Sequence, residues 1–223
     1  MPDLLISLLH PTVRPEFWRY IALEWQRTCD RPEFVEYVLV PERKFFPGLP
    51  NAASTLFQHS VIQFNEEAAS TVGGYNFAAR ISHGKVLVTI ADDFYPAKHW
   101  DTDILDLLRD KMNQEVIIQV DTGMPQFDDH FIPLPILTRK YYERSNYIFW
   151  PEYTSYYADA DFTGMAKAEK IEIINARNTL KFRHVQGGRG GQFSNDKYYK
   201  RNGTNAEFSG NLYNKRLAAG FPR

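Results

Sequence analysis

The chain contains one cysteine, Cys29, so no internal disulfide can form and the fold must rest on packing and hydrogen bonds. No apolar stretch approaches the roughly 20 residues that a membrane-spanning helix needs. The opening run from Asp3 to Leu9 is too short, and too poor in basic residues, for a secretory signal. These shortages make a cytoplasmic, reducing location the expectation. Charge of one sign is also missing, because 26 Lys and Arg stand against 27 Asp and Glu for a net of -1, which excludes a strong global field toward nucleic acid or membrane. With 13 Gly and 13 Pro in 223 residues and no internal repeat, collagen-like and low-complexity classes are excluded as well.

What is present is ordinary globular usage, 43% hydrophobic and 15% aromatic, in a length that suits one compact domain. The neutral total hides a split. From Arg177 onward ten Lys and Arg meet two acids, a net of +8, which leaves the preceding residues at -9. The division predicts a body over 1–185 and, over 186–223, a Gly-rich hinge (Gln186 to Gln192) followed by a basic C-terminal tail.

Hydrophobic patterning predicts alternating elements. Leu4 to Leu9 and Phe34 to Val40 read as strands around a helix that opens at Pro15 and buries Phe17, Ile21, Leu23 and Trp25. A short strand over Val61 to Phe64 and a helix over Gly74 to Ser82 follow, then the continuous apolar run Val86 to Ala91, which implies burial on both faces. A helix capped by Asp101, a strand over Val116 to Val120, a short helix opening at Thr138 and a helix over Asp159 to Ala168 complete the order. The pattern is α/β with a mixed, mostly parallel sheet flanked by helices. Ligands of such sheets bind beyond the carboxyl ends of the strands, which singles out His10 to Arg14, Pro41 to Arg43, Asp92 to Phe94 and Asp121 to Gly123. Cys29, within a helical pattern, reads as a small buried residue.

Asp92 and Asp93 end the clearest strand. Paired acids there suit a turn or a cap, or a hard divalent cation completed by substrate diphosphate oxygens. The stretch Gly74-Tyr75-Asn76-Phe77-Ala78-Ala79-Arg80-Ile81-Ser82-His83-Gly84-Lys85-Val86-Leu87-Val88-Thr89-Ile90-Ala91-Asp92-Asp93 resembles the central signature of family-two glycosyltransferases with the GT-A fold. In that signature an Asn on a helix precedes a Gly, an apolar strand and an Asp-x-Asp-type metal motif. Asn76, Gly84 and Asp93 stand at the matching spacing, while Ala78 and Ala91 depart from the usual Gly and Asp. A second match, Ala158-Asp159-Ala160-Asp161-Phe162, resembles the acidic segment that opens the base-bearing helix, with its first acid replaced.

The resemblance implies a metal-dependent inverting glycosyltransferase that uses Mn2+ or Mg2+ and a nucleotide-sugar, with a UDP-sugar favoured. It implies Asp93 and His184 as metal ligands and Asp159, or in exchange Asp161, as the base. Pro11, Thr12, Glu42, Asn76, Arg80 and Asp92 are implied on the donor. Among the aromatic residues, Trp100, Trp150 and Tyr153 are the candidates for the acceptor. That acceptor is left open among a saccharide, a lipid-linked glycan and a modified DNA base. The tail segment Lys197 to Gly203 suits a nucleic acid or an anionic glycan as partner, or a plain solvated tail. The altered motifs also leave a non-catalytic nucleotide- or sugar-binding domain as the alternative.

Overall fold

A computed structural model describes residues 4–50, 57–66, 70–128, 130–185 and 205–223. The Gly-rich segment and Lys197 to Gly203 lie outside the described residues. Within them, strands β1 (Ile6–Thr12), β2 (Val35–Pro41), β3 (His59–Ile62), β4 (Val86–Thr89), β6 (Val116–Gln119), β7 (Ile136–Thr138) and β8 (Glu172–Asn175) form one sheet, ordered β3-β2-β1-β4-β7-β6-β8. Every pairing is parallel except those of β7, which runs antiparallel to both β4 and β6. Helices α1 (Trp18–Arg27), α2 (Thr71–Ile81), α3 (Trp100–Leu107), α4 (Pro125–Asp128), α5 (Arg139–Tyr142), α6 (Ala158–Ala168) and α7 (Ala206–Ala218), with a one-turn 3-10 helix (Pro32–Phe34), complete the described elements together with a two-stranded ladder, β5 (Phe94–Tyr95) and β9 (Arg183–His184). Among the described residues no helix is long and apolar enough to cross a membrane.

The core lies where the apolar runs placed it. β2 and β4 are buried along their whole length, as expected of strands covered on both faces. Helix α1 buries Trp18, Ile21, Ala22 and Trp25, a stripe at three- and four-residue spacing, whereas Leu23 turns to solvent. Gly84 marks the tightest approach. A Cβ there would sit 2.6 Å from the backbone nitrogen of Ser7, so only glycine lets the turn before β4 rest on β1.

Several boundaries differ from the sequence expectation for identifiable reasons. Helix α2 begins at Thr71, one turn before Gly74, because the Ser70 hydroxyl accepts from the Gly73 amide and caps the helix there. Asp101 is not the cap of α3, whose preceding residue is His99 in the left-handed region at φ 63°. The Asp101 carboxylate instead accepts from the Asp30 and Arg31 amides at 2.9 and 2.8 Å and ties α3 to the loop after α1. Strand β8, which the pattern did not announce, is only half-buried at the sheet edge, and helix α7 lies within what read as a tail.

Helix α7 is bound to the body by an ion pair. The Arg216 guanidinium is buried, contacts both Asp161 carboxylate oxygens at 2.6 and 3.3 Å, and lies 3.6 Å over the Trp150 ring. Arg223 pairs with Glu169 in the same way. Two of the ten cations of the basic region are thus engaged internally. Replacing Arg216 with Ala strands a buried carboxylate and is expected to lower unfolding stability by about 3–5 kcal/mol. An unchanged denaturation midpoint would contradict this account of the pair.

Candidate active site

The carboxyl ends of β1, β2 and β4 open onto a cleft of about 840 Å³, within the range of small-molecule sites. Its lining draws on residues that sequence reading singled out (Pro11, Thr12, Glu42, Asp92, Asp93, Asp159 and His184) and on some it did not assign, including Asn65, Ser70 and Tyr213. Gly74 is needed where α2 meets this wall, since a Cβ there would lie 2.5 Å from the Cβ of Pro11.

Asp92 is the hub of a buried network. Its carboxylate receives the Thr12 hydroxyl at 2.8 and 3.0 Å, faces Nε2 of His10 at 3.0 Å and pairs with Arg14 Nη1 at 3.2 Å. His10 is fully buried, and its Nδ1 lies 2.7 Å from the Tyr37 hydroxyl. The loop after β4 is therefore pinned to the end of β1, and Asp92 has most of its oxygen capacity engaged by protein.

Asp93 is placed by a different device. β5 and β9 pair with Phe94 opposite His184, and the Val185 amide donates to the Asp93 carbonyl at 2.8 Å. His184 Nε2 thereby stands 3.3 Å from Asp93 Oδ1, while its Nδ1 is buried with no hydrogen-bond partner. Aromatic packing supports the ladder. Trp25 meets Trp100, Phe182 and Phe94 at ring separations of 5.0, 5.5 and 6.0 Å, and its indole N–H donates to the Phe94 carbonyl.

Asp159 lies in the first turn of α6, half-buried on the cavity wall. Burial pushes its carboxyl up to about 6, against a smaller lowering by the Ala160 amide, which donates to it at 2.9 Å. Asp161, the alternative base, is excluded from this wall. Its side chain is fully buried, held by Arg216 and by the Tyr153 hydroxyl at 3.2 Å.

The structure moves five other assignments off the cavity. Trp100 is fully buried with its indole N–H donating to the Trp25 carbonyl, so it cannot reach an acceptor. Trp150 lies beneath Arg216, and Tyr153 is buried against Asp161. Asn76 accepts from the Ile148 and Phe149 amides and donates to the Phe149 carbonyl, which makes it a splint behind the wall residue Phe149. Arg80 is exposed in the last turn of α2, over Phe77. Each of these side chains had a buried or backbone partner that neither motif nor spacing reveals. Cys29 is half-buried, and burial together with Asp101 holds its thiol well above the usual range, which agrees with an unreactive packing residue.

Among the described residues no group of three His, Cys, Asp or Glu could hold a metal ion. The pair that is present fits a divalent cation that takes one or two protein ligands and completes its shell from substrate and water. One carboxylate and one imidazole stand side by side, with His184 Nε2 3.3 Å from Asp93 Oδ1.

No protein-family model and no curated protein sequence matches the chain. Solved structures do. Residues 1–349 of S. aureus TarS in complex with UDP-GlcNAc match at TM-score 0.61 and 17% identity, over 87% of this chain and 61% of that one. The same fragment in complex with UDP matches at TM-score 0.62 and 16% identity, over 80% and 60%. Mannosyltransferase PcManGT from Pyrobaculum calidifontis, in complex with GDP-Man and Mn2+, matches at TM-score 0.61 and 15% identity, over 83% and 58%. The chain spans about three-fifths of the length of these structures, and the likeness establishes the GT-A fold.

Proposed function

We propose that the protein is a metal-dependent glycosyltransferase that moves a sugar from a nucleotide-sugar to an acceptor hydroxyl, with inversion. The observation that carries this reading is the convergence on one cleft of the Asp93–His184 pair and of Asp159, whose carboxyl is tuned toward neutrality. The structural neighbours crystallised with UDP, UDP-GlcNAc and GDP-Man with Mn2+ support a nucleotide-sugar as donor.

Charge supports the metal. Glu42, Asp92, Asp93 and Asp159 line the cleft against Arg14 as the guanidinium and His184 as the imidazole among its described residues. A diphosphate would be repelled by this wall unless a cation entered with it. Asp93 and His184 would hold that cation, and an imidazole beside a carboxylate suits Mn2+ better than Mg2+. When bound, it supplies charge neutralisation for the departing diphosphate.

The residues of the chain do the rest. Thr12 and Arg14, fixed by Asp92, form the rigid wall at the end of β1 against which the nucleotide lies. Asp159 accepts the proton of the acceptor hydroxyl as its oxygen bonds to the anomeric carbon. The bond from that carbon to the diphosphate oxygen breaks, and its electron pair leaves with the nucleoside diphosphate. Attack opposite the leaving group gives inversion.

Titration of UDP and GDP in the presence of Mn2+ and again in EDTA tests the donor side. The expected result is that one of the nucleotides binds at least about tenfold more tightly with Mn2+. Equal affinity in EDTA, or no binding of either, would contradict the proposal.

A further inference from the structure

Two tyrosines that the proposed reaction leaves unused face the cleft beside Asp159. Tyr157 immediately precedes α6 and holds φ at 67°, a left-handed conformation that is costly for a bulky side chain and tends to be kept at functional sites. The residue is 43% exposed, yet its ring is not loose. It packs on Tyr213 of α7 with ring centroids 5.5 Å apart and planes inclined by 32°, and Tyr213 rests in turn on Phe221 at 5.8 Å. Helix α7 is itself locked to α6 through the buried pair of Arg216 and Asp161. The result is a rigid aromatic surface on the cleft wall, with Tyr157 two residues from the carboxylate that takes the proton.

The fixed charge of the cleft narrows what can lie on this surface. Apart from its tyrosines, its described charged or ionisable lining is Arg14, Glu42, Asp92, Asp93, Asp159 and His184, which is acidic on balance and disfavours a phosphorylated or carboxylated acceptor. Aromatic faces, by contrast, attract the apolar C–H face of a pyranose ring while leaving its hydroxyls free. We infer that Tyr157 and Tyr213 are the stacking platform of the acceptor site, and that the acceptor is an uncharged sugar ring presenting one hydroxyl to Asp159. This inference rests on the transferase reading above and adds to it a substrate class and a role for the C-terminal helix.

The test uses the full-length protein with Mn2+ and the nucleotide-sugar that it hydrolyses in the absence of acceptor, and follows nucleoside diphosphate release. Methyl and p-nitrophenyl glycosides are added as neutral probes, and glucose 6-phosphate as the charged one. Neutral glycosides are expected to accelerate release and glucose 6-phosphate not to. Tyr213→Leu, which keeps apolar packing on Phe221, and Tyr157→Asn, which suits a left-handed backbone, are each expected to raise the glycoside KM about tenfold. Tyr213→Phe should retain the wild-type KM, an outcome that a role for the hydroxyl alone would not give. Unchanged KM in both Tyr213→Leu and Tyr157→Asn overturns the platform. Acceleration by glucose 6-phosphate but by no glycoside, or by neither, overturns the neutral-sugar assignment. No release from any donor overturns the transferase reading instead.

Discussion

Asp159→Asn is expected to lower kcat by about a thousandfold while leaving nucleotide affinity close to wild type, because it removes the proton acceptor without removing a donor contact. The pH profile of the wild-type protein carries the same information. With its carboxyl raised to about 6, Asp159 is ionised and competent above that pH, so kcat should fall as pH drops through 6. That acidic limb should be missing from the residual activity of the Asn variant. Stability should move the other way. Between pH 4 and 6 the unfolded chain ionises this carboxyl before the folded protein does, so wild-type stability declines with rising pH across that window. It stays reduced above it. At pH 7 the Asn variant is therefore expected to be more stable, by something on the order of 1–3 kcal/mol. A structural cap would behave differently, since losing it would destabilise α6 and leave turnover largely intact. Kinetics and thermal melting of one variant separate the two roles.

Asp93→Asn is expected to abolish the tightening of nucleotide binding by Mn2+ and to lower turnover by about a thousandfold, the equivalent of several kcal/mol of charge stabilisation at the diphosphate. The fold should survive, because the backbone carbonyl of Asp93, and not its carboxylate, receives the Val185 amide that closes the β5–β9 ladder. His184→Ala should give a similar loss of Mn2+ response, since the ladder sets the imidazole 3.3 Å from the Asp93 carboxylate. Retention of Mn2+-dependent binding in both variants would remove this pair as the metal site.

The mostly parallel α/β sheet was legible because its information is local and repetitive, and the resemblance to the GT-A signature rested on spacing within one stretch. Continuous apolar runs announced β1, β2 and β4, and the spacing from Asn76 through Gly84 to Asp93 reflects demands that the structure makes plain: a splint to Ile148 and Phe149, a close backbone approach to Ser7, and a strand end at the cleft. Partnerships across long sequence distances were not legible. Trp100 and Trp150 looked available for a ligand, yet one is consumed by Trp25 and the other by Arg216. Asp159 and Asp161, two positions apart on one helix, point to different environments, and the ion pair supplied by α7 together with the Tyr153 hydroxyl distinguishes them. Net charge misled in the same way. The positive balance from Arg177 onward includes Arg216 and Arg223, both of which are paired with carboxylates of the body.

The most direct test of the account is nucleoside diphosphate release from a panel of UDP- and GDP-sugars with Mn2+, measured for the wild-type protein and for Asp93→Asn. The account predicts turnover of at least one donor by the wild type and its loss in the variant. A donor that binds to saturation yet is neither hydrolysed nor transferred would contradict the account and identify the cleft as a binding site alone.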